Sequence, residues 1–306
     1  MRIDAHQHFW TTARGDYHWM PAEGPLHQDW MPSDLAPLNE AAGITGTVVV
    51  QAAQTVAETE FLLDLADQPE NSIMAVVGWI DLDSADAIGE LERLSAHPKL
   101  RAIRPMLQDL NDPAWILRPQ VLQNLRRLPD FGLAYEVLSY PGHLPYALQA
   151  IDEIPEVPVI IDHLSKPVYS SPPPEFWRTW ISRFGRRPNT AIKISGMVTE
   201  IGPGWTIAAV RPNVEAVIED FGTDRIMFGS DWPVCLQAAD HAAVVTLAEQ
   251  LVSGLSPAEQ ESFWSGTART YYQLDRAQQP GARTGSGSLD RDGFVGRQHD
   301  RGGSPG

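Results

Sequence analysis

The chain begins with residues 1–10, MRIDAHQHFW, a short β-type segment that ends in two histidines, His6 and His8. An open, doubly wound α/β sheet has a glycine-rich turn after its first strand, and histidines stand in that place here. In a (β/α)8 barrel, the residues at the C-terminal ends of the strands carry the chemistry. The opening segment therefore favours a barrel and leaves the open sheet as the structural alternative.

Further β-branched runs follow this segment at regular intervals. Several of them, such as GTVVV and VPVII, are nearly continuous apolar runs, which suits parallel strands covered on both faces. Including the first, eight strands are predicted, at residues 2–6, 46–51, 73–79, 100–105, 132–138, 157–163, 190–195 and 225–230.

Segments of helical periodicity separate these runs. Helices are predicted at residues 33–42, 56–67, 84–95, 116–128, 144–154, 174–184, 206–221 and 241–253. A final helix is predicted from Ser256, where Ser-Pro-Ala-Glu is a capping box with proline at the first helical position. Eight strand–helix units predict a closed (β/α)8 TIM barrel, formed by residues 1–275 as a single domain.

The C-terminal segment differs in composition from the rest of the chain. Residues 281–306, GARTGSGSLDRDGFVGRQHDRGGSPG, are rich in glycine, serine, arginine and aspartate and have no hydrophobic periodicity. Such a segment cannot bury enough apolar surface to fold. We therefore predict a disordered tail with no part in catalysis.

Composition limits the classes of partner. Of the 306 residues, 39 are acidic and 23 are basic, so the formal charge is −16, and neither nucleic acid nor an anionic membrane is expected as a partner. The single cysteine, Cys235, excludes an internal disulfide and is predicted to be packed rather than reactive. The N-terminal residues contain no apolar run of signal-peptide length, so a cytoplasmic protein is expected.

Polar residues that can bind a metal or transfer a proton lie at the ends of three of the predicted strands. His6 and His8 end the first strand, and alternate residues of an extended segment face the same way. His163 ends the sixth strand, and Asp231 follows the eighth in FGSDWP. Each residue alone has an ordinary explanation, as a loop histidine, a buried histidine or a turn aspartate. Together they predict a cluster suited to a divalent metal or to activating water.

Several motifs extend this pattern beyond the four residues. They are MRIDAHQHFW, Tyr17-His18-Trp19, VVVQA, AIRP, DHLSKP, KISGM and FGSDWPV. As a set they resemble the amidohydrolase superfamily, and within it the sugar-lactone lactonases: the L-fuconolactonases and L-rhamnonolactonases, related to the 2-pyrone-4,6-dicarboxylate lactonases. The resemblance covers residues 1–275. It implies a hydrolase that opens a small-molecule sugar lactone, with the sugar and the number of subunits left open.

The sequence departs from the two-metal members of this superfamily. They carry a bridging lysine at strand four and a histidine at strand five, whereas Arg104 ends the fourth strand here and residues 132–138 contain neither histidine nor lysine. A bridged two-metal centre is therefore not expected. His6, His8, His163 and Asp231 either hold one divalent metal, such as Zn²⁺, or act without one, with the imidazoles and Arg104 supplying the positive field.

The resemblance and the chemistry of ester hydrolysis together suggest roles. Asp231 is predicted to be the general base that takes a proton from the attacking water. Arg104 is a candidate for the developing oxyanion or a substrate carboxylate, with a structural ion pair as the alternative. Lys193, inside the seventh strand, is predicted to form a structural ion pair. The candidates for substrate binding, each with a structural alternative, are Gln51, Lys166, Tyr140, His143, Trp30 and Trp232.

Two other functions fit the same residues. A metal-dependent decarboxylase of the same superfamily also uses the His-x-His pair and the terminal aspartate. A non-catalytic barrel that binds a sugar acid is the alternative outside enzymes, although binding alone does not need a base. The lactonase is the preferred hypothesis.

Overall fold

The computed structural model describes residues 1–275, and in it eight parallel strands form one sheet in chain order. The predicted tail at residues 281–306 lies outside the described residues. The strands are β1 (Ile3–Gln7), β2 (Gly46–Val50), β3 (Ile73–Gly78), β4 (Leu100–Ile103), β5 (Ala134–Val137), β6 (Val159–Ile161), β7 (Thr190–Ile194) and β8 (Ile226–Phe228). Each strand lies within one of the predicted segments or extends it by one residue.

The sheet closes into a barrel between β1 and the chain that follows β8. The Asp231 backbone N–H donates to the carbonyl oxygen of His6 at 2.8 Å, and the His8 N–H donates to the carbonyl oxygen of Trp232 at 2.7 Å. Because these bonds pair the first strand with the last, no wide opening remains in the sheet. The predicted (β/α)8 barrel is confirmed, and the open doubly wound sheet is excluded.

Helices surround the barrel. They are α1 (Pro32–Ala42), α2 (Val56–Ala66), α3 (Ala87–Leu94), α4 (Pro119–Leu125), α5 (Leu144–Asp152), α6 (Glu175–Gly185), α7 (Met197–Ile201), α8 (Ile207–Phe221), α9 (His241–Val252), α10 (Pro257–Glu261) and α11 (Thr267–Tyr271). The predicted capping box at Ser256 begins α10, which a π-helical turn joins to α11. None of the helices among residues 1–275 is long and apolar enough to cross a membrane.

Two helices differ from the prediction for local reasons. The segment 116–128 forms a 3₁₀ turn and then the short α4, because Pro119 lacks an N–H group and begins the helix as its first residue. Helix α7 was not predicted. It spans five residues between Gly196 and Gly202, which both have positive φ, so it is too short to show a helical period.

The apolar core has two layers separated by the sheet. Most of the buried apolar side chains, Cys235 among them, pack between the outer face of the sheet and the helices. Small side chains fill the inside of the barrel, where Tyr271 and Tyr272 at the end of α11 pack against them. Alternate strand residues supply the two layers. Polar side chains on the inward positions must therefore lie in the barrel interior or at its mouth.

Candidate active site

The four residues predicted as the reaction centre lie together at the C-terminal ends of the strands. The Nε2 atoms of His6, His8 and His163 lie 3.8, 3.3 and 3.8 Å from Oδ1 of Asp231. All four side chains are buried. Three imidazole nitrogens thus surround one carboxylate oxygen at the base of the barrel mouth.

A β-bulge turns His6 inward. Asp4 pairs with Thr47 and Gln7 pairs with Val49, so β1 uses one residue more than β2 over this stretch. Simple alternation from the inward-facing Ala5 would direct His6 away from the barrel axis, and the extra residue re-aims it. The close approach also depends on Gly229, where an added Cβ would lie 2.6 Å from the His6 Cβ.

A left-handed turn places His163. The φ angles of residues 163–166 are 51, 55, 53 and 50°, a conformation that costs about 1–2 kcal/mol per residue for L-amino acids. Surrounding contacts hold the turn: Leu164 is buried, and the Trp177 indole N–H donates to its carbonyl oxygen at 2.7 Å. Gly196 leaves room for the ring, because a Cβ there would lie 2.5 Å from His163 Nδ1. Such strain is typical of functional sites.

Hydrogen bonds define which imidazole nitrogens face the centre. His8 Nδ1 lies 2.7 Å from the carbonyl oxygen of Val50, which can only accept, so Nδ1 carries the proton and Nε2 faces Asp231. His163 Nδ1 lies 2.8 Å from the Ser195 hydroxyl oxygen, which also leaves Nε2 toward the centre. Each ring is thus held through its outer nitrogen, as metal-binding histidines are.

The electrostatic environment disfavours the charged form of two imidazoles, those of His6 and His163. Burial lowers the pKa of His163 to about 4, although Asp231 opposes the shift. Burial and the nearby Lys193 ammonium lower the pKa of His6 well below its ordinary value. Burial raises the pKa of Asp231, but the nearby His163 and His8 outweigh that effect and hold it below the ordinary value. At neutral pH the centre therefore presents an ionised carboxylate.

The donor set fits one divalent ion. His6, His163 and Asp231 each offer a ligand atom, and these atoms lie within 4.8 Å of one another. Tetrahedral ligands placed 2.0–2.2 Å from Zn²⁺ are separated by about 3.4 Å. The separations of 3.3–3.8 Å between the three Nε2 atoms and Asp231 Oδ1 are close to that value. His6, His163 and Asp231 can therefore bind a metal without large rearrangement, whereas His8 lies outside this close group.

A layer of buried charges lies directly beneath this centre. Lys193 Nζ lies 2.8 Å from Glu136 Oε2 and 3.0 Å from Asp162 Oδ1, and all three side chains are fully buried. Arg104 Nη1 donates to Asp162 Oδ2 at 2.9 Å. The Tyr272 hydroxyl donates to Glu136. The expected ion pair of Lys193 is present, and so is an ion pair of Arg104.

The carboxylates of this layer have different pKa values. Burial raises the pKa of Glu136 to about 7, with Lys193 opposing the shift. Burial also acts on Asp162, but Lys193, His6 and Arg104 together lower its pKa well below the ordinary value. Glu136 was not predicted as a candidate, although a charged residue inside the apolar run AYEV is a signal that the sequence offers.

Comparison with known proteins agrees with this geometry. The family model described as Amidohydrolase matches residues 3–274. The chain belongs to the amidohydrolase family. The family expected from the motifs is confirmed.

Relatives of this amidohydrolase are similar over nearly their whole length. An L-fucono-1,5-lactonase of Burkholderia ambifaria is 39% identical over 280 residues, which cover 90% of this chain and 96% of the relative. An L-fucono-1,5-lactonase of Burkholderia multivorans is 35% identical over 291 residues, with coverages of 90% and 96%. A crystal structure of a Burkholderia multivorans amidohydrolase with bound zinc is 34% identical, covers 90% of this chain and 99% of that chain, and has a TM-score of 0.83.

The candidate centre of this amidohydrolase opens into a cavity of about 230 Å³. His8, His163, Asp231 and Arg104 form its floor. Its walls consist of Trp19, Pro21, Leu26, Ala52, Met106, Gln108, Leu138, Lys166, Thr199, Glu200, Val234 and Gln237. A larger cavity, of about 310 Å³, lies beside α1 and the N-terminal end of β2 and contains none of the four reactive residues.

Of the six predicted substrate-binding residues, the structure places one at the cavity and five away from its lining. Lys166 lines the cavity, and its Nζ lies 2.8 Å from Glu200 Oε1. The other five are not among the described residues that line it. Gln51 is buried, where its side-chain amide donates to the Arg104 carbonyl oxygen at 2.6 Å.

The four predicted aromatic residues pack elsewhere. Trp30 and Trp232 pack edge to face with their rings 5.1 Å apart. Tyr140 and His143 contact each other in the loop after β5. The aromatic wall of the cavity is instead Trp19, whose indole N–H donates to the Ala52 carbonyl oxygen at 2.6 Å. The Tyr17-His18-Trp19 motif contained that residue, but nothing in the sequence showed that its loop covers the barrel mouth.

Proposed function

We propose that the protein is a lactonase, which opens a sugar (aldono-) lactone to the open-chain sugar acid by attack of water on the lactone carbonyl. The observation that carries this proposal is the position of the Asp231 carboxylate. Its Oδ1 lies within 3.8 Å of the Nε2 atoms of three histidines, and its side chain lines a cavity of about 230 Å³. Both L-fucono-1,5-lactonases, at 39% and 35% identity, support a lactone over an acid that loses carbon dioxide.

The proposed chemistry starts at Asp231. Its carboxylate takes a proton from water as the water oxygen attacks the lactone carbonyl carbon. The bond between that carbon and the ring oxygen then breaks, and Asp231 returns the proton to the leaving oxygen. A lactone is a cyclic ester, so this exchange needs no covalent intermediate on the protein, and the water supplies both the hydroxyl and the proton of the product.

Arg104 is proposed to stabilise the developing negative charge. Its side chain lines the cavity floor, and Nη1 lies 3.3 Å from His6 Nε2. Its ion pair with Asp162 fixes the guanidinium plane, and donors fixed before the reaction stabilise an oxyanion best. The ion pair and the catalytic role are therefore compatible.

A single Zn²⁺ is the proposed metal, held by His6, His8, His163 and Asp231. When bound, such an ion polarises the carbonyl and lowers the pKa of water. The zinc in the 34% identical Burkholderia multivorans structure supports this identity. The positions of the imidazoles and of Arg104 support turnover without added metal equally well. Activity is therefore compared between the metal-free and the zinc-loaded protein.

Among the predicted substrate-binding residues, Lys166 is the one we propose to contact the ligand, because it lines the cavity near its mouth. Gln51 instead supports the backbone at Arg104 through its hydrogen bond, and Trp30 and Trp232 pack against each other. Tyr140 and His143 lie on the loop beside Lys166, where the Tyr140 ring is 5.4 Å from the Lys166 ammonium. They can orient that side chain without touching the ligand.

The test is a pH-indicator assay against a panel of sugar lactones, run with and without a chelator. Proton release by at least one lactone is expected, and Asp231→Asn should abolish most of it. Asp240→Asn is the matched control, because Asp240 caps α9 and asparagine caps equally well. A folded protein that releases protons from no lactone, or that liberates carbon dioxide from an aromatic acid, would overturn the proposal. Loss of activity with chelator and its return with zinc would identify the metal-dependent form.

A further inference from the structure

Besides Nε of Arg104, two buried polar atoms in the cavity lining have no hydrogen-bond partner among residues 1–275, and both belong to neutral side chains. They are Oε1 of Gln108 and Oγ1 of Thr199. Buried polar groups are nearly always paired, and an unpaired one costs about 1–3 kcal/mol. Their position in the wall of the cavity over the reaction centre means that a bound ligand can supply the missing partners.

The two groups reach the cavity from different sides of the barrel. Gln108 lies in the turn after β4, where its backbone N–H donates to the Leu138 carbonyl oxygen at 3.2 Å. Thr199 lies in α7, which follows β7. Both side chains are therefore carried by rigid backbone at the C-terminal ends of strands, and neither belongs to the centre built from β1, β6 and β8.

The charges of the cavity exclude one class of ligand. The two cations that line it are each paired with a carboxylate: Arg104 with Asp162 at 2.9 Å, and Lys166 with Glu200 at 2.8 Å. A ligand carboxylate would find no unpaired cation here, and it would be repelled by Asp231. A hydroxyl group, in contrast, can both donate and accept, so it suits an amide and a hydroxyl.

Much of the remaining wall is apolar. Trp19, Leu26, Met106, Leu138 and Val234 contribute to it. A sugar ring has an apolar face as well as hydroxyl groups, and aromatic side chains commonly cover that face. The cavity thus combines an apolar wall with two unpaired hydrogen-bonding groups and has no free positive charge.

We propose that Gln108 and Thr199 form a hydroxyl-recognition subsite that selects a neutral, polyhydroxylated lactone over carboxylated and unsubstituted lactones. This inference rests on the proposed lactonase function. It assigns specificity to two residues outside the reaction centre. The ligand hydroxyls fill the hydrogen-bonding capacity that the protein leaves unused.

The test compares Gln108→Met and Thr199→Val with the wild type on three substrates. These are a hydroxylated sugar lactone that the wild type opens, an unsubstituted six-membered lactone, and a sugar lactone that bears a carboxylate. Both substitutions keep the side-chain size and remove the hydrogen bonds. Each is expected to lower the preference for the sugar lactone over the unsubstituted one about 10- to 100-fold in kcat/KM, mainly through KM. The carboxylated lactone should be the poorest substrate of the wild type among the sugar lactones.

Two surface substitutions serve as matched controls. Gln123→Met and Thr246→Val make the same chemical changes on exposed helix positions and should leave the preference unchanged. Equal loss on both lactones in the cavity variants, or an unchanged preference, would overturn the inference.

A wild type that opens none of the three lactones would refute the lactonase proposal instead. The subsite is then tested by the rise in melting temperature on adding the neutral sugar lactone, which stays unopened. That rise should be lost in the double variant Gln108→Met/Thr199→Val, and its persistence there would overturn the subsite.

Discussion

Removing the buried cation beneath the reaction centre tests the electrostatic account of the barrel. In Lys193→Met, Glu136 and Asp162 lose the ammonium group that lies 2.8 and 3.0 Å away. Breaking a fully buried ion pair costs about 3–5 kcal/mol, because the remaining charge has no compensation. For a chain of this size, 1 kcal/mol lowers the melting temperature by about 2 °C, so a fall of about 6–10 °C is expected near neutral pH.

The pH dependence of this loss follows from Glu136. Burial already raises its pKa to about 7 against the attraction of Lys193, and removing Lys193 raises the pKa further. A carboxyl group whose pKa is raised by folding stabilises the protein below its unfolded pKa, and this contribution is lost as pH rises through the folded pKa. The deficit of Lys193→Met should therefore be smaller near pH 5.5, where only Asp162 is left as an unpaired charge beside the lost ammonium, and larger at pH 8, where Glu136 ionises as well.

Thermal melts of the variant and the wild type at these two pH values measure the effect. The double variant Lys193→Met/Glu136→Gln removes the uncompensated carboxylate and should recover at least half of the loss. Arg127→Met, which breaks the exposed pair with Asp130, should change stability by less than about 1 kcal/mol. Melting temperatures within 2 °C of wild type at both pH values, or a deficit that shrinks at pH 8, would refute the reasoning.

Three further outcomes are expected. Asp231→Asn should lower kcat about 10²–10⁴-fold and remove the acidic limb of the pH–rate profile, while near-normal lactone hydrolysis would show that the histidines activate the water. Gly229→Ala places a methyl group 2.6 Å from the His6 Cβ and should displace the His6 ring. The value of kcat should then fall about 100-fold with little change in KM, and an active variant would mean that His6 tolerates displacement. Truncation after residue 280 should change neither the melting temperature nor turnover, and a large loss of either would place the domain boundary further along the chain.

The strands and the reaction centre were predictable because two simple patterns coincide. Runs such as GTVVV identify buried parallel strands, and parallel strands bring their C-terminal ends to the same rim. His6, His8, His163 and Asp231 could therefore be grouped without knowing any distance. The same logic explains why Arg104, at the end of β4, was placed correctly beside them.

Features that depend on irregular backbone could not be predicted. The bulge that turns His6 inward needs an extra residue in β1 relative to β2, and the left-handed turn at residues 163–166 contains no glycine to signal positive φ. The cavity walls posed the same difficulty. Trp19 reaches the mouth from a long loop, whereas Trp232, adjacent to the predicted base, is turned into the core. Sequence position relative to a strand end does not specify which way a loop side chain points.

The two alternatives for stabilising charge at this centre use the same atom. A neutral His6 can accept one hydrogen bond, and Arg104 and Lys193 can only donate. Arg104 Nη1 lies 3.3 Å from Nε2 of His6, and Lys193 Nζ lies 3.1 Å from its Nδ1, so the single lone pair of the ring can serve only one of the two cations. With the proton on Nδ1, the Nε2 lone pair accepts from Arg104. A metal bound at Nε2 would take that lone pair and repel the guanidinium. Without a metal, His6, Asp162 and the Gln51 carbonyl oxygen all accept from Arg104. With a metal at Nε2, Asp162 and Gln51 would still hold the guanidinium, and the ion would supply the positive charge at the carbonyl.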